Sequence, residues 1–175
     1  QMCIRDRLDA AVLGHARLSD GMAVLDVGCG LGGTLARVNA AHQDMRLLGL
    51  NPDPDQLAIA RRVVPRGRNQ LRWIEGRAGR LPVRDGALDR VLCVEAAFHF
   101  ASRARFLAEA LRVLKPGGRL VLTDIVPTDK MAALGAGPPG PAFAVDALLQ
   151  RGIGPIPAPF TPADWGALFA EAGAH

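Results

Sequence analysis

The stretch DVGCGLGG, Asp26 to Gly33, closes an apolar run that starts at Ala23, and it constrains the fold more than any other feature. A short apolar run ending in glycines reads as a buried strand feeding a sharp turn. Gly28, Gly30 and Gly33 carry the G-x-G-x-x-G spacing of nucleotide-binding turns, where absent side chains let the backbone bend and approach a ligand. The helix expected next, about Gly33 to His42, offers unpaired N–H groups to an anion. Spacing alone leaves two readings open, a ligand cradle or a plain tight turn.

The remaining chain repeats the alternation. Strands are expected at RLLGLN (Arg46–Asn51), LRWIEG (Leu71–Gly76), ALDRVLCVE (Ala87–Glu95) and GRLVLTDI (Gly118–Ile125). Helices are expected at Leu8–Leu18, after Asp53 to about Val64, at Arg103–Leu114 and at Thr161–Ala174. Asp53 and Ser102 suit N-caps, Pro54 a first helical position, Gln56 the third, and KPGG after Leu114 a helix stop. Strands alternating with helices of this length predict an α/β, doubly wound parallel sheet with right-handed crossovers. The pattern breaks over Val126–Pro162, which holds eight of the 13 prolines. Its place after the fifth strand makes it either a linker or a substrate cap at the carboxyl edge of the sheet, and the cap is preferred.

Composition narrows the function. A chain of 175 residues suits one domain. No apolar run approaches the roughly 18 residues of a membrane span. The net charge is +4, but the arginines are scattered and aromatics are 5 %, which argues against nucleic acid. Cys3, Cys29 and Cys93 lie far apart with no ligand cluster, so no metal is expected and the protein reads as reduced and cytoplasmic. Cys29 and Cys93 read as packing residues. Richness in arginine, alanine and glycine suggests a GC-rich bacterial genome. The opening QMCIRDR (1–7) resembles translated adaptor sequence and is set aside as non-native, leaving 8–175 as the domain.

Asp26 stands two residues before the first glycine, at a strand end. An anion there serves a pyrophosphate poorly and an ammonium or sulfonium well. Two further blocks follow in order: GRAGRLPVRDGALDRVLCVEAAFHF (Gly76–Phe100) and FLAEALRVLKPGGRLVLTD (Phe106–Asp124). Taken together, these motifs resemble those of the class I S-adenosylmethionine-dependent methyltransferases, in particular their small-molecule type 11 group, over about Leu8 to His175.

The resemblance implies a strand order of 3-2-1-4-5, S-adenosylmethionine as cofactor and a small-molecule acceptor, with oxygen as the expected methylated atom. It also implies roles. Asp26 would hold the methionine amino group, and Gly28, Cys29 and Gly30 would line the carboxylate and ribose. Asn51 would hold the ribose hydroxyls and Pro52 would pack near the adenine. Arg77, Ala78 and Leu81 would surround the adenine edge, and Val94 and Glu95 would flank the methyl end. His99 is the candidate base, paired with Asp124 as its acid, and Phe98 and Phe100 would wall the acceptor.

The family often has an acid where Arg77 and Asn51 stand. An arginine accepts no hydrogen bond, which leaves the Ala78 backbone to meet the adenine amino group. Two further strands follow the last helix in the family, so the chain is expected to be truncated at its C-terminus. VEAAFHF lacks the prolines of DNA amino-methylating enzymes, and one glutamate stands where arginine methyltransferases place two. A nicotinamide oxidoreductase on the same glycine turn and a non-catalytic S-adenosylmethionine-binding fragment remain the alternatives.

Overall fold

A computed structural model describes residues 4–124 and 161–172, with side chains from Ala10 onward. The expected cap lies outside the described residues, except for Thr161 and Pro162.

Five parallel strands form one sheet: β1 (Ala23–Val27), β2 (Arg46–Asn51), β3 (Gln70–Glu75), β4 (Leu88–Cys93) and β5 (Leu114–Leu122), in the order β3-β2-β1-β4-β5. Helices α1 (Ile4–Ala16), α2 (Gly33–Ala41), α3 (Pro54–Val63), α4 (Arg103–Val113) and α5 (Pro162–Glu171) accompany it. This is the doubly wound α/β fold that the alternation of elements implies. The order reverses at β1, whose neighbours are β2 and β4, and that reversal opens a crevice at the strands' carboxyl ends.

The core explains why the strands read as continuous apolar runs. Every residue of β1 is buried. Ala23, Leu25 and Val27 join a cluster with Leu50, Val91, Phe106, Val113 and Trp165, while Val24 joins one with Val12, Leu35, Val38 and Leu47. A strand covered by helices on both faces has no polar side to alternate with.

Helix ends follow local chemistry. The Asp53 carboxylate accepts from the amides of Asp55 (2.9 Å) and Gln56 (3.2 Å), and Pro54 opens α3. Ser102 caps α4 through Arg105 N, and Thr161 forms a reciprocal capping box with Asp164 at α5. At the end of α1 the buried Arg90 guanidinium donates to the carbonyls of Ala16 and Arg17, a cation placed at a helix C-terminus.

Two expectations need correcting. KPGG does not close a helix outside the sheet. Leu114 already pairs with Leu88 while Arg119 pairs with Arg90, so residues 115–118 form a bulge in β5, with Gly117 at φ +75°. The fifth strand therefore starts at Leu114 and ends at Leu122. The first helix spans Ile4–Ala16, where Leu8–Leu18 was expected.

Candidate functional site

The crevice is built by four strand ends. β1 delivers Asp26, 2 % exposed, in register with Gly49 of β2 and Leu92 of β4. The glycine turn then folds back: the amides of Gly28 (2.8 Å) and Cys29 (3.1 Å) both donate to the Leu50 carbonyl. Those two N–H groups are therefore spent on holding the turn against β2. Gly28 has φ +78°, and a Cβ there would stand 2.4 Å from the Ala96 Cβ. Only glycine lets the β1 turn lie against the segment after β4, which joins the two halves of the crevice.

The Cys29 thiol belongs to the wall. Burial first, and then the charge of Asp26, push its pKa up to about 12, so it is a protonated thiol at neutral pH. Burial raises Cys93 as well. Packing is the role both side chains are built for.

β2 delivers Asn51, 7 % exposed, next to the exposed Pro52. Its Nδ2 donates to Gln56 Oε1 at 3.0 Å, which leaves a carbonyl and one further N–H for a diol. Gln56 was expected as the third residue of the helix start, and α3 begins there, at Pro54. The Gln56 side chain turns to Asn51, and its Oε1 lies 3.7 Å from where a Gly30 Cβ would be. Gln56 thus ties α3 to the tip of β2. Its helical position is legible in the sequence, and no sequence pattern marked it as the partner of Asn51.

β3 leads into the next wall. Gly76 N donates to the Asn51 carbonyl (3.1 Å), and the chain continues through exposed Arg77 to buried Ala78 and Leu81. Arg77 faces solvent and bridges Arg80 through the backbone.

After β4, Val94 is half-buried and Glu95 adopts φ +51°, a left-handed conformation uncommon outside glycine. The Glu95 amide donates to Thr123 Oγ1 (2.8 Å), which ties the strained residue to the end of β5. A short 3-10 turn, Ala97–His99, follows. Phe98 is buried beneath it and the exposed His99 ring lies on Phe98, with centroids 4.3 Å apart.

The structure does not form the expected His99–Asp124 pair. Asp124 is instead buried against Arg103, whose Nε (2.7 Å) and Nη2 (3.3 Å) engage both carboxylate oxygens. Trp165 Nε1 of α5 adds a third donor at 3.0 Å. Both ionic side chains are 3 % exposed, as a buried carboxylate facing a planar guanidinium requires. Asp124 therefore anchors α4 and α5 to the end of β5, and the candidate base stands apart from it.

The donor set suits a cationic nucleoside ligand. A buried carboxylate, a neutral amide at the adjacent strand tip and a glycine turn with two amides already spent favour an ammonium and a ribose over a second phosphate. Among the described residues no group of His, Cys, Asp and Glu is placed to hold a metal, and no helix is long and apolar enough to cross a membrane.

Comparison with known proteins places the chain in a family. A methyltransferase-domain family matches residues 25–122, more than half of the chain. The chain is 36 % identical over 140 residues to the erythromycin 3''-O-methyltransferase of Saccharopolyspora erythraea, covering 79 % of this chain and 46 % of that one. It is 32 % identical over 128 residues to an O-methyltransferase of Pyrenophora dematioidea, covering 71 % and 47 %. The chain thus spans about half the length of these curated relatives. Among solved structures, the cyclopropane synthase MmaA2 of Mycobacterium tuberculosis superposes with a TM-score of 0.77 at 26 % identity, over 94 % of this chain and 59 % of that one.

Proposed function

This chain belongs to the methyltransferase-domain family, the class I S-adenosylmethionine-dependent methyltransferases, and from that premise we propose that it methylates a small molecule at oxygen. The observation that carries the reading is Asp26, a buried carboxylate beside the glycine turn, with Asn51 at the adjoining strand tip. When bound, S-adenosylmethionine supplies an electrophilic methyl on a sulfonium sulfur.

The chain's own residues then divide the work. Asp26 holds the amino group of the methionine part, and Asn51, fixed by Gln56, holds the ribose hydroxyls. Pro52, Ala78 and Leu81 wall the adenine, with the Ala78 backbone meeting its amino group and Arg77 at the rim. Val94 and Glu95 border the methyl end. His99, exposed at the mouth, takes the proton that an acceptor hydroxyl releases, and Phe98 backs its ring. A single base at the mouth suits a hydroxylated acceptor, as the erythromycin-modifying relative's name also suggests.

The names of the relatives carry a second possibility. MmaA2, similar in fold, is a cyclopropane synthase, and transfer to carbon is therefore the second reading. Incubation with methyl-labelled S-adenosylmethionine and panels of hydroxylated sugars and phenols, then of unsaturated lipids, separates the two. Label in an ether that is lost in His99→Ala is the expected result. Transfer to carbon alone, or to no acceptor by a chain that binds the cofactor, contradicts it.

A further inference from the structure

The two sequence blocks after β3 are specific together because they hold each other. Arg112 of α4 reaches the loop that follows β3 with both terminal nitrogens of its guanidinium. Nη2 donates to the Leu81 carbonyl (3.0 Å), and Nη1 donates to the Val83 carbonyl (2.9 Å) and Asp85 Oδ1 (2.6 Å). Nε and Nη2 also bind Glu109, at 2.7 Å each, one turn back on α4. Glu109 Oε2 in turn accepts the Leu81 amide at 2.7 Å, and the Arg112 carbonyl accepts the Gly86 amide at 3.0 Å. Leu81 is thus gripped at both its amide and its carbonyl, while its side chain, 3 % exposed, points into the core beside Ala78.

We propose that Glu109 and Arg112 are positioning residues for cofactor selection: they fix the Gly76–Gly86 loop so that Ala78 and Leu81 present a rigid wall to the adenine. The inference rests on the S-adenosylmethionine reading above. The loop needs such a clamp, because it has one antiparallel bridge, Arg77 to Arg80, and no ladder of its own. Its near end is fixed to the Asn51 carbonyl by Gly76, on the ribose side, so the clamp sets its far end. A flat guanidinium meets two carbonyls and two carboxylates at once, which a lysine's point charge does not reproduce. The Arg112 side chain is 32 % exposed and that of Glu109 20 %, so the pair braces the loop from its solvent side.

The test is calorimetric titration of S-adenosylhomocysteine and its inosine counterpart into the full chain and into Arg112→Ala, Glu109→Ala and Asp85→Ala. The two α4 variants are expected to bind S-adenosylhomocysteine about tenfold more weakly, as lost charged hydrogen bonds loosen the wall. Their preference for adenine over hypoxanthine should narrow with it, which general destabilisation does not produce. Asp85, 80 % exposed, can be removed without threat to folding, and its loss should give a smaller shift of the same sign. Folded Arg112→Ala that binds both ligands like the unaltered chain overturns the clamp. If the α4 variants do not fold, unchanged discrimination in Asp85→Ala does so. Failure of the unaltered chain to bind S-adenosylhomocysteine instead overturns the cofactor reading from which the clamp follows.

Discussion

The cofactor side and the acceptor side of the crevice are assembled differently. On the cofactor side, Asp26, the glycine turn and Asn51 lie on two adjacent strands and the turn that leaves β1, where the Gly28 and Cys29 amides donate to the Leu50 carbonyl, and the Asn51 side chain meets Gln56 of α3 five residues on. On the acceptor side, the end of β5 is held by Arg103, 21 residues before Asp124, and by Trp165, 41 residues after it. The first side is a backbone device, made rigid by turns and caps. The second is a buried ionic anchor that gathers two helices, and its candidate base stands outside that anchor. The lesson is that cofactor binding and acceptor chemistry should respond separately to mutation.

The largest separation is expected at His99. His99→Ala should lower turnover by about 10²- to 10⁴-fold, the usual worth of a general base, while calorimetric affinity for S-adenosylmethionine stays unchanged. Equal loss of both would place His99 in the cofactor site. Next is the anchor. Arg103→Ala leaves the Asp124 carboxylate buried without its guanidinium and should cost about 3–5 kcal/mol in denaturant unfolding. A loss below about 1 kcal/mol would mean the pair is no anchor, and Asp124 would again be available to chemistry.

How much of this was legible in the sequence follows from the same contrast. The β1 run, the glycine turn and the Asp53 cap could be read because each is a local signal: apolar residues in sequence, φ-permissive glycines, and a carboxylate within reach of amides two and three residues on. The parallel order follows from the alternation and the family resemblance. The partner of Asp124 could not be read, since nothing local distinguishes Arg103 from other arginines of an arginine-rich chain. The same holds for Gln56, whose helical position was legible and whose side-chain partner, Asn51, was not. The KPGG bulge was misplaced because a glycine pair after a helix signals a stop, while its pairing with β4 is a tertiary fact.

Smaller effects sharpen the cofactor side. Asn51→Ala should weaken S-adenosylmethionine about tenfold, as a buried ribose partner is lost. Asp53→Ala should leave affinity near that of the unaltered chain and cost about 1 kcal/mol of stability, because Asp53 is the cap of α3. The reverse pattern would exchange their roles.

The smallest effect is a pH dependence. Arg112, bonded to both of its oxygens, holds the Glu109 carboxyl down at about 2 from an ordinary 4.5. With the folded-state value depressed, the unfolded chain takes up the proton first. The stability that Glu109 contributes is therefore complete above about pH 4.5 and is lost as pH falls toward 2. Thermal unfolding of the unaltered chain and of Glu109→Gln should converge across that window. A constant gap between the two would contradict the assignment.

The central claim is that a buried carboxylate beside the glycine turn selects a cationic nucleoside. Calorimetric titration of S-adenosylmethionine and of NAD into the intact chain and into Asp26→Asn tests it most directly. The expected result is binding of S-adenosylmethionine and not NAD by the intact chain, with affinity falling about a hundredfold in a folded Asp26→Asn. Binding of NAD by the intact chain, or S-adenosylmethionine affinity unchanged by Asp26→Asn, would contradict it.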